Sequence, residues 1–133
     1  MSGLVLKLAP NERVLVNGAV IENGDKRSKI TILTANANIL RLRDAIPPDQ
    51  ANTPVRRVCY ITQLLLTGDA DESLGRQQAF RGIEQLSQAF LDSASLMALD
   101  QATGHIEGGD YYRALRSLRS LIPRESRLLA QVN

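Results

Sequence analysis

Lys26, Arg27 and Lys29 fall within four residues of one another in the stretch NGAVIENGDKRSKITIL, residues 17–33. Two Asn-Gly pairs bracket a short apolar run there, and a second apolar run follows the cations. Asn-Gly between apolar runs is a hairpin signal, and side chains at a hairpin tip fan outward. A knot of one sign in such a place can hold anions. Arg41 and Arg43 are one residue apart, so on a strand they share a face. Lys7 interrupts the first apolar run. In a compact sheet Lys7, Arg41 and Arg43 would line one edge beside the basic tip. A surface of that kind suits a phosphate backbone or a single-stranded loop of RNA. Tyr60, Phe80, Phe90, Tyr111 and Tyr112 all lie outside the strand-rich region. The surface lacks the aromatic platform of common single-strand binders, so recognition would rest on backbone groups and Lys or Arg contacts.

Two further basic groups lie on helices. Arg56-Arg57 occupies the first turn of a helix, where cations oppose the helix dipole at a cost on the order of a few tenths of a kcal/mol each. Binding would explain that misfit, and so would an acidic neighbour in space. Arg113, Arg116 and Arg119 repeat every three residues opposite the apolar stripe Tyr111–Leu115–Leu118–Ile122 and read as a solvated outer face or, alternatively, a partner-binding one. The triple Leu64-Leu65-Leu66 covers more than one helix face. One leucine is then either wrapped by neighbouring helices or exposed to a protein partner. Leu64, Leu65, Tyr111 and Tyr112 are the candidates for such contacts.

Little else is suited to catalysis. The one histidine, His105, sits between glycines in TGHIEGGD with no positioned partner in view. Cys59 lies in an apolar pattern and reads as a small core residue. The glycines match neither a phosphate-binding loop nor a dinucleotide fingerprint. No enzyme activity, cofactor or metal is expected.

The elements that must position these residues can be read along the chain. It has 133 residues, 44% of them apolar, enough for one domain with a buried core. A single cysteine excludes an internal disulfide, and no apolar run approaches the ~18 residues that span a bilayer. The start, Met1-Ser2-Gly3-Leu4, does not read as a signal peptide, which leaves the cytoplasm as the simplest compartment. Residues 1–60 carry nine Lys or Arg against five acids (+4), and residues 61–133 carry seven against nine (−2). That asymmetry points to an anionic partner for the N-terminal part.

Strands are expected at 4–8, 13–16, 19–22 and 29–34, with a last one within NANILRLRD, residues 36–44. Together they form a small antiparallel meander over residues 1–45. IPPDQANTP is a linker, and Thr53-Pro54 opens a helix that Gly68 stops, although the β-branched VRRVCYI also fits a strand. Three more helices follow, starting near Asp71, Asp92 and Asp110. Pro123 ends the last, and RESRLLAQVN forms a further turn or a frayed tail. Strands first and helices after argue for an α+β fold, a basic β-meander (1–45) with a bundle of about four helices (46–133) packed on it as one compact unit.

The stretches LKLAPNERVLVNGAVIENGD, TPVRRVCYITQLLLTG and GGDYYRALRSLRSLI, in that order, resemble the flagellum biosynthesis repressor FlbT family of alphaproteobacteria over nearly the whole chain. The resemblance implies a post-transcriptional regulator of flagellin synthesis. It would associate with the 5′ untranslated leader of flagellin mRNA, govern translation or decay, and act with a small partner protein, FlaF. A weaker likeness joins LVLKLAPNERVLV and NANILRLRDAI to the carbon storage regulator family of mRNA-leader binders, which implies RNA-facing roles for Lys7, Arg41 and Arg43. That family forms an interlocked dimer, so a homo-oligomer is among the expectations. The RNA-binding set is then Lys7, Lys26, Arg27, Lys29, Arg41, Arg43, Arg56 and Arg57. A protein-interaction or chaperone-like module acting on flagellar proteins is the alternative.

Overall fold

The tightest sequence signal, Asn17-Gly18, becomes the tightest turn. In the computed structural model, which describes residues 3–131, Asn17 has φ 48° and Gly18 φ 86°. Two successive positive φ angles define the turn whose twist matches its flanking strands. It joins β2 (Arg13–Val16) to β3 (Ala19–Glu22), with Val14 opposite Ile21 and Leu15 opposite Val20. The last strand, β5 (Ile39–Arg41), lies on the other side of β2 with Val16 opposite Ile39. The second sheet is the antiparallel pair β1 (Leu4–Leu8) and β4 (Ser28–Ile32).

The strands are antiparallel and precede the helices, as the α+β pattern requires, but their pairing is not sequential. Residues 23–28 do not fold β4 back onto β3; they carry it across to β1. Burial decides this. The β1–β4 pairing sets Leu4 opposite Ile32 and Leu6 opposite Ile30. That row, with Leu8, packs on Val14, Ala37 and Ile39 in a small core. β3 is exposed at all four of its residues and has no apolar face to offer β4. The second Asn-Gly pair accordingly has another task. Asn23 has no positive φ; its Nδ2 donates to the carbonyls of Ala9 (2.8 Å) and Lys26 (2.9 Å), and its Oδ1 accepts from Ser28 Oγ (2.7 Å). The amide pins the basic loop to the end of β1.

The helices form the larger core. Thr53 Oγ1 accepts from Arg56 N (3.2 Å), Pro54 takes the first turn, and Gly68 closes α1 (Pro54–Thr67) at φ 83°. Helix therefore prevails over strand for VRRVCYI, with Val55, Val58, Cys59, Leu65 and Leu66 buried. Asp71, Asp92 and Asp110 cap α2 (Glu72–Ala89), α3 (Ser93–Glu107) and α4 (Tyr111–Arg119) through the N–H groups of Leu74, Ser95 and Arg113. The Ser95 N–H, above all, lowers the Asp92 carboxyl to about 2. Pro123 does not merely end α4. It occupies the opening turn of a short fifth helix, α5 (Ile122–Ala130), where a missing N–H costs nothing. The last two residues of RESRLLAQVN lie outside the described residues.

The three-stranded sheet is shared between the cores. Val14, Val16 and Ile39 face the small one, and Leu15 and Leu40 on the opposite face pack toward the helices. Tyr112 of α4 packs against both. The strand-rich and helical parts are joined through that ring and through Asn36 Nδ2, which donates to the Gly108 carbonyl at 3.0 Å. Among the described residues no helix is long and apolar enough to cross a membrane.

Candidate nucleic-acid interface

Alternation along β1 and β4 sends Leu6, Leu8, Ile30 and Ile32 inward and leaves Val5, Lys7, Lys29 and Thr31 on the outer face. Lys7 and Lys29 are directly opposite in the register. Lys26 and Arg27 sit in the adjoining loop and are exposed. None of these four cations takes part in an ion pair among the described residues, whereas seven of the arginines elsewhere do. The loop carrying them is held by the Asn23 bonds and by Asn11 N–H to the Gly24 carbonyl (2.8 Å). The loop and β1–β4 thus present four cations outside any ion pair among the described residues, with Asp25 the one acid in the same loop.

Arg41 and Arg43 have a different setting. β5 ends at Arg41, and Arg43 lies in a 3-10 turn, Leu42–Asp44, so the two do not share a strand face. They converge on Glu12 instead. Arg41 Nη1 is 3.1 Å and Arg43 Nε 3.7 Å from Glu12 Oε2, while Glu12 Oε1 accepts from Ala9 N–H at 2.9 Å. The Glu12 side chain is only 6% exposed, against 59% for Arg43. Arg41 is thus a structural cation whose charge is answered internally; Arg43 keeps part of its guanidinium in solvent.

Arg56 and Arg57 stay at the N-terminus of α1. Arg57 is exposed and lines a groove with Arg81 of α2. A carboxylate does stand at this helix end, although it forms no ion pair with either arginine among the described residues. Glu125 of α5 is buried, and its Oε2 accepts from Val55 N–H at 2.8 Å, at the start of α1.

The four residues expected to meet a partner are placed unevenly. Leu65 is buried, and Tyr111 is buried with its hydroxyl donating to Glu72 Oε1 at 2.8 Å. Burial and that carboxylate raise the Tyr111 pKa. Both belong to the larger core, Leu65 where α2 packs on α1 and Tyr111 with its hydroxyl on Glu72, so neither offers a surface to a partner. Leu64 and Tyr112 are half-buried. Cys59 is fully buried, and burial pushes its thiol up to about 12, which disqualifies it as a nucleophile.

The sequence reading missed a cleft of about 410 Å³ where β1 and β5 come alongside α4. Its lining includes Lys7, Arg41, Tyr112, Arg116 and Arg119, with Asp44 as the acid. Arg119 Nη2 is paired to Asp44 Oδ1 at 2.9 Å, and Arg116 is exposed and in no ion pair among the described residues. Tyr112 and Arg116 are four apart on a helix and so share a face. That much was available from spacing; the wall that β1 and β5 build opposite them was not.

Residues 4–129 match the family described as flagellar protein FlbT. The chain is 34% identical to a probable flagellum biosynthesis repressor protein FlbT 1 of Bradyrhizobium diazoefficiens, over 96% of this chain and 86% of that one. It is 29% identical to the flagellum biosynthesis repressor protein FlbT of Caulobacter vibrioides, over 98% and 92%. A probable flagellum biosynthesis repressor of Mesorhizobium japonicum is 33% identical over 95% and 84%. No solved structure gives a significant match.

Proposed function

The chain belongs to the FlbT family of flagellar proteins, and from that premise we propose that it regulates flagellin synthesis after transcription by binding the 5′ untranslated leader of flagellin mRNA. The relatives carry the name of flagellum biosynthesis repressors, which supports the coarser part, a regulator of flagellum synthesis. The finer part rests on one observation: Lys7, Lys26, Arg27 and Lys29 are exposed, and none of them is in an ion pair among the described residues, although Asp25 stands in the same loop. Phosphates would pair these cations, and partly exposed Arg43 extends the footprint. Control of translation or decay follows if the bound protein occupies the leader.

The test is binding of purified protein to a flagellin leader RNA and to a scrambled RNA across a salt series. The expected result is leader-selective binding whose affinity falls steeply with salt. A Lys26→Ala, Arg27→Ala, Lys29→Ala variant should lower the slope of log affinity against log salt by about 2, at roughly 0.7 per phosphate contact on a single strand. An unchanged slope in a folded variant rules out the loop as the site. Absence of RNA binding even at low salt overturns the reading.

One observation favours the protein-partner reading alongside it. Between α2 and α3 a groove is lined by Phe80, Ile83, Leu96 and Leu99 with Glu84, Asp100 and Glu107 at its borders. An amphipathic helix with basic flanks fits such a groove. A FlaF-type partner would dock there rather than on buried Leu65 and Tyr111. Apolar docking of this kind loses little affinity with salt, which separates it from the RNA face.

A further inference from the structure

We propose that the cleft between β1, β5 and α4 holds one unpaired nucleotide of the bound RNA, with Tyr112 as its stacking surface and Lys7 and Arg116 on its phosphates. The inference rests on the RNA reading above and adds what that reading lacks, a means of distinguishing single-stranded from duplex RNA.

The lining combines four cations with one acid. Arg41 and Arg119 are held by Glu12 and Asp44, so their guanidinium planes are fixed before any ligand arrives. Lys7 and Arg116 are exposed and without ion pairs among the described residues. Buried Leu6 and Leu115 contribute apolar surface, and Tyr112 is the aromatic in the lining. Cations, apolar surface and an aromatic ring together match a nucleotide better than a bare anion. A space of about 410 Å³ lies within the range of small-ligand sites. Bases stack on aromatic side chains when they leave their own stack, which a duplex base cannot do without breaking its pair. Lys7 lies both in this lining and on the outer β1–β4 face, opposite Lys29. Lys7 is thus the residue through which a strand held on that face by its phosphates would enter the cleft.

The experiment compares a leader RNA segment, single-stranded, with the same segment annealed to its complement. The proteins are the full chain and its Tyr112→Leu, Tyr112→Phe, Arg116→Ala and triple loop variants. The unmodified chain should prefer the single strand on the order of tenfold, the range base–aromatic stacking supports. Tyr112→Leu should abolish that preference and leave duplex affinity and its salt slope in place; Tyr112→Phe, which keeps the ring, should retain it. Arg116→Ala tests the cleft at an exposed residue whose loss does not disturb the core. The triple loop variant should weaken both RNAs alike. If Tyr112→Leu and Arg116→Ala each keep the preference, the cleft holds no base, while salt-dependent binding would leave the RNA face intact. Absence of RNA binding by the unmodified chain overturns both proposals. Tight binding of AMP alone, with RNA affinity indifferent to Tyr112, overturns the RNA assignment and gives the cleft to a free nucleotide.

Discussion

Lys7 and Lys29 stand directly opposite each other across the β1–β4 pair, both exposed and neither in an ion pair among the described residues. Like charges in that relationship weaken a sheet, and a two-stranded sheet has little pairing to spare. The fold tolerates the repulsion because the other face of the same strands buries Leu6, Leu8 and Ile30. A cost retained at the surface is one that an anion would remove.

Lys29→Thr should therefore change two properties in opposite directions. Removing the like charge and restoring a β-branched residue should raise stability by about 0.5 kcal/mol. RNA affinity should fall, and the salt slope should drop by about 0.7. Urea denaturation and a salt-series binding assay on the same variant check both. A variant that loses stability as well would mean that Lys29 makes a supporting contact and that its charge is no burden.

Helical glycines give a second pair of opposite signs. Gly75, Ala79 and Gly82 line the side of α2 that meets α1. A Cβ on Gly75 would come within 2.7 Å of Leu65 Cδ2, and one on Gly82 would strike Val58 Cγ2. Val58 is buried and, being β-branched in a helix, has no alternative rotamer to yield into. Gly82→Ala should cost about 1–3 kcal/mol despite the better helix propensity of alanine. Gly104 in α3 has nothing within 4 Å of its Cβ position, so Gly104→Ala should stabilise by up to about 1 kcal/mol. Thermal or urea midpoints of the two variants decide it.

What could be read from the sequence follows from the range of each interaction. Helix α1 was legible because its signals are local: Thr53, Pro54 and Gly68 occupy fixed offsets from its ends. Asn17-Gly18 was legible for the same reason, since both residues of the turn adopt the positive φ that their types permit. Asn23-Gly24 was not, because its role is a set of side-chain bonds to Ala9, fourteen residues away along the chain. The cluster Lys26, Arg27 and Lys29 was found by simple adjacency, and Lys7 by its place in a strand. Its position opposite Lys29 depends on a pairing between non-consecutive strands, which alternation alone does not dictate. Glu12 was missed because nothing near it in sequence marks it as the acid on which Arg41 and Arg43 converge.

Cys59 makes stability depend on alkaline pH. Burial, above all, raises its thiol from an ordinary 9.0 to about 12, with Arg119 and Arg56 pulling the other way and Glu125 adding to the rise. Between those values the folded thiol keeps a proton that the unfolded thiol has lost. The contribution is fully present below about pH 9 and is lost as pH rises toward about 12. Cys59→Ala should remove this part of the loss: its urea midpoint, lower at about pH 8 because of the cavity, should fall less steeply toward about pH 10.5 than that of the unmodified chain. Parallel pH dependences would show that the thiol is not protected.

Glu125 sets a buried carboxylate at the helix end that Arg56 and Arg57 begin. Cations in a first turn oppose the helix dipole, and Arg56-Arg57 does so without an acid of its own helix there. The acid arrives from α5, with Oε2 of buried Glu125 on Val55 N–H at 2.8 Å. Its other oxygen, Oε1, has no hydrogen-bond partner among the described residues. One carboxylate thus supplies both a cap and a negative charge where the dipole and Arg56-Arg57 are positive. Glu125→Ala removes both and should cost about 3 kcal/mol, the upper range for a hydrogen bond to a charged group. Glu125→Gln keeps an acceptor for Val55 N–H and loses only the charge, so its cost should be about half as large and should shrink further in high salt, which screens Arg56 and Arg57. Urea denaturation of both variants at low and high salt separates the two effects. Equal costs for Ala and Gln that shrink together in high salt would mean that the charge matters and the cap does not; a harmless Gln would assign the whole role to the cap.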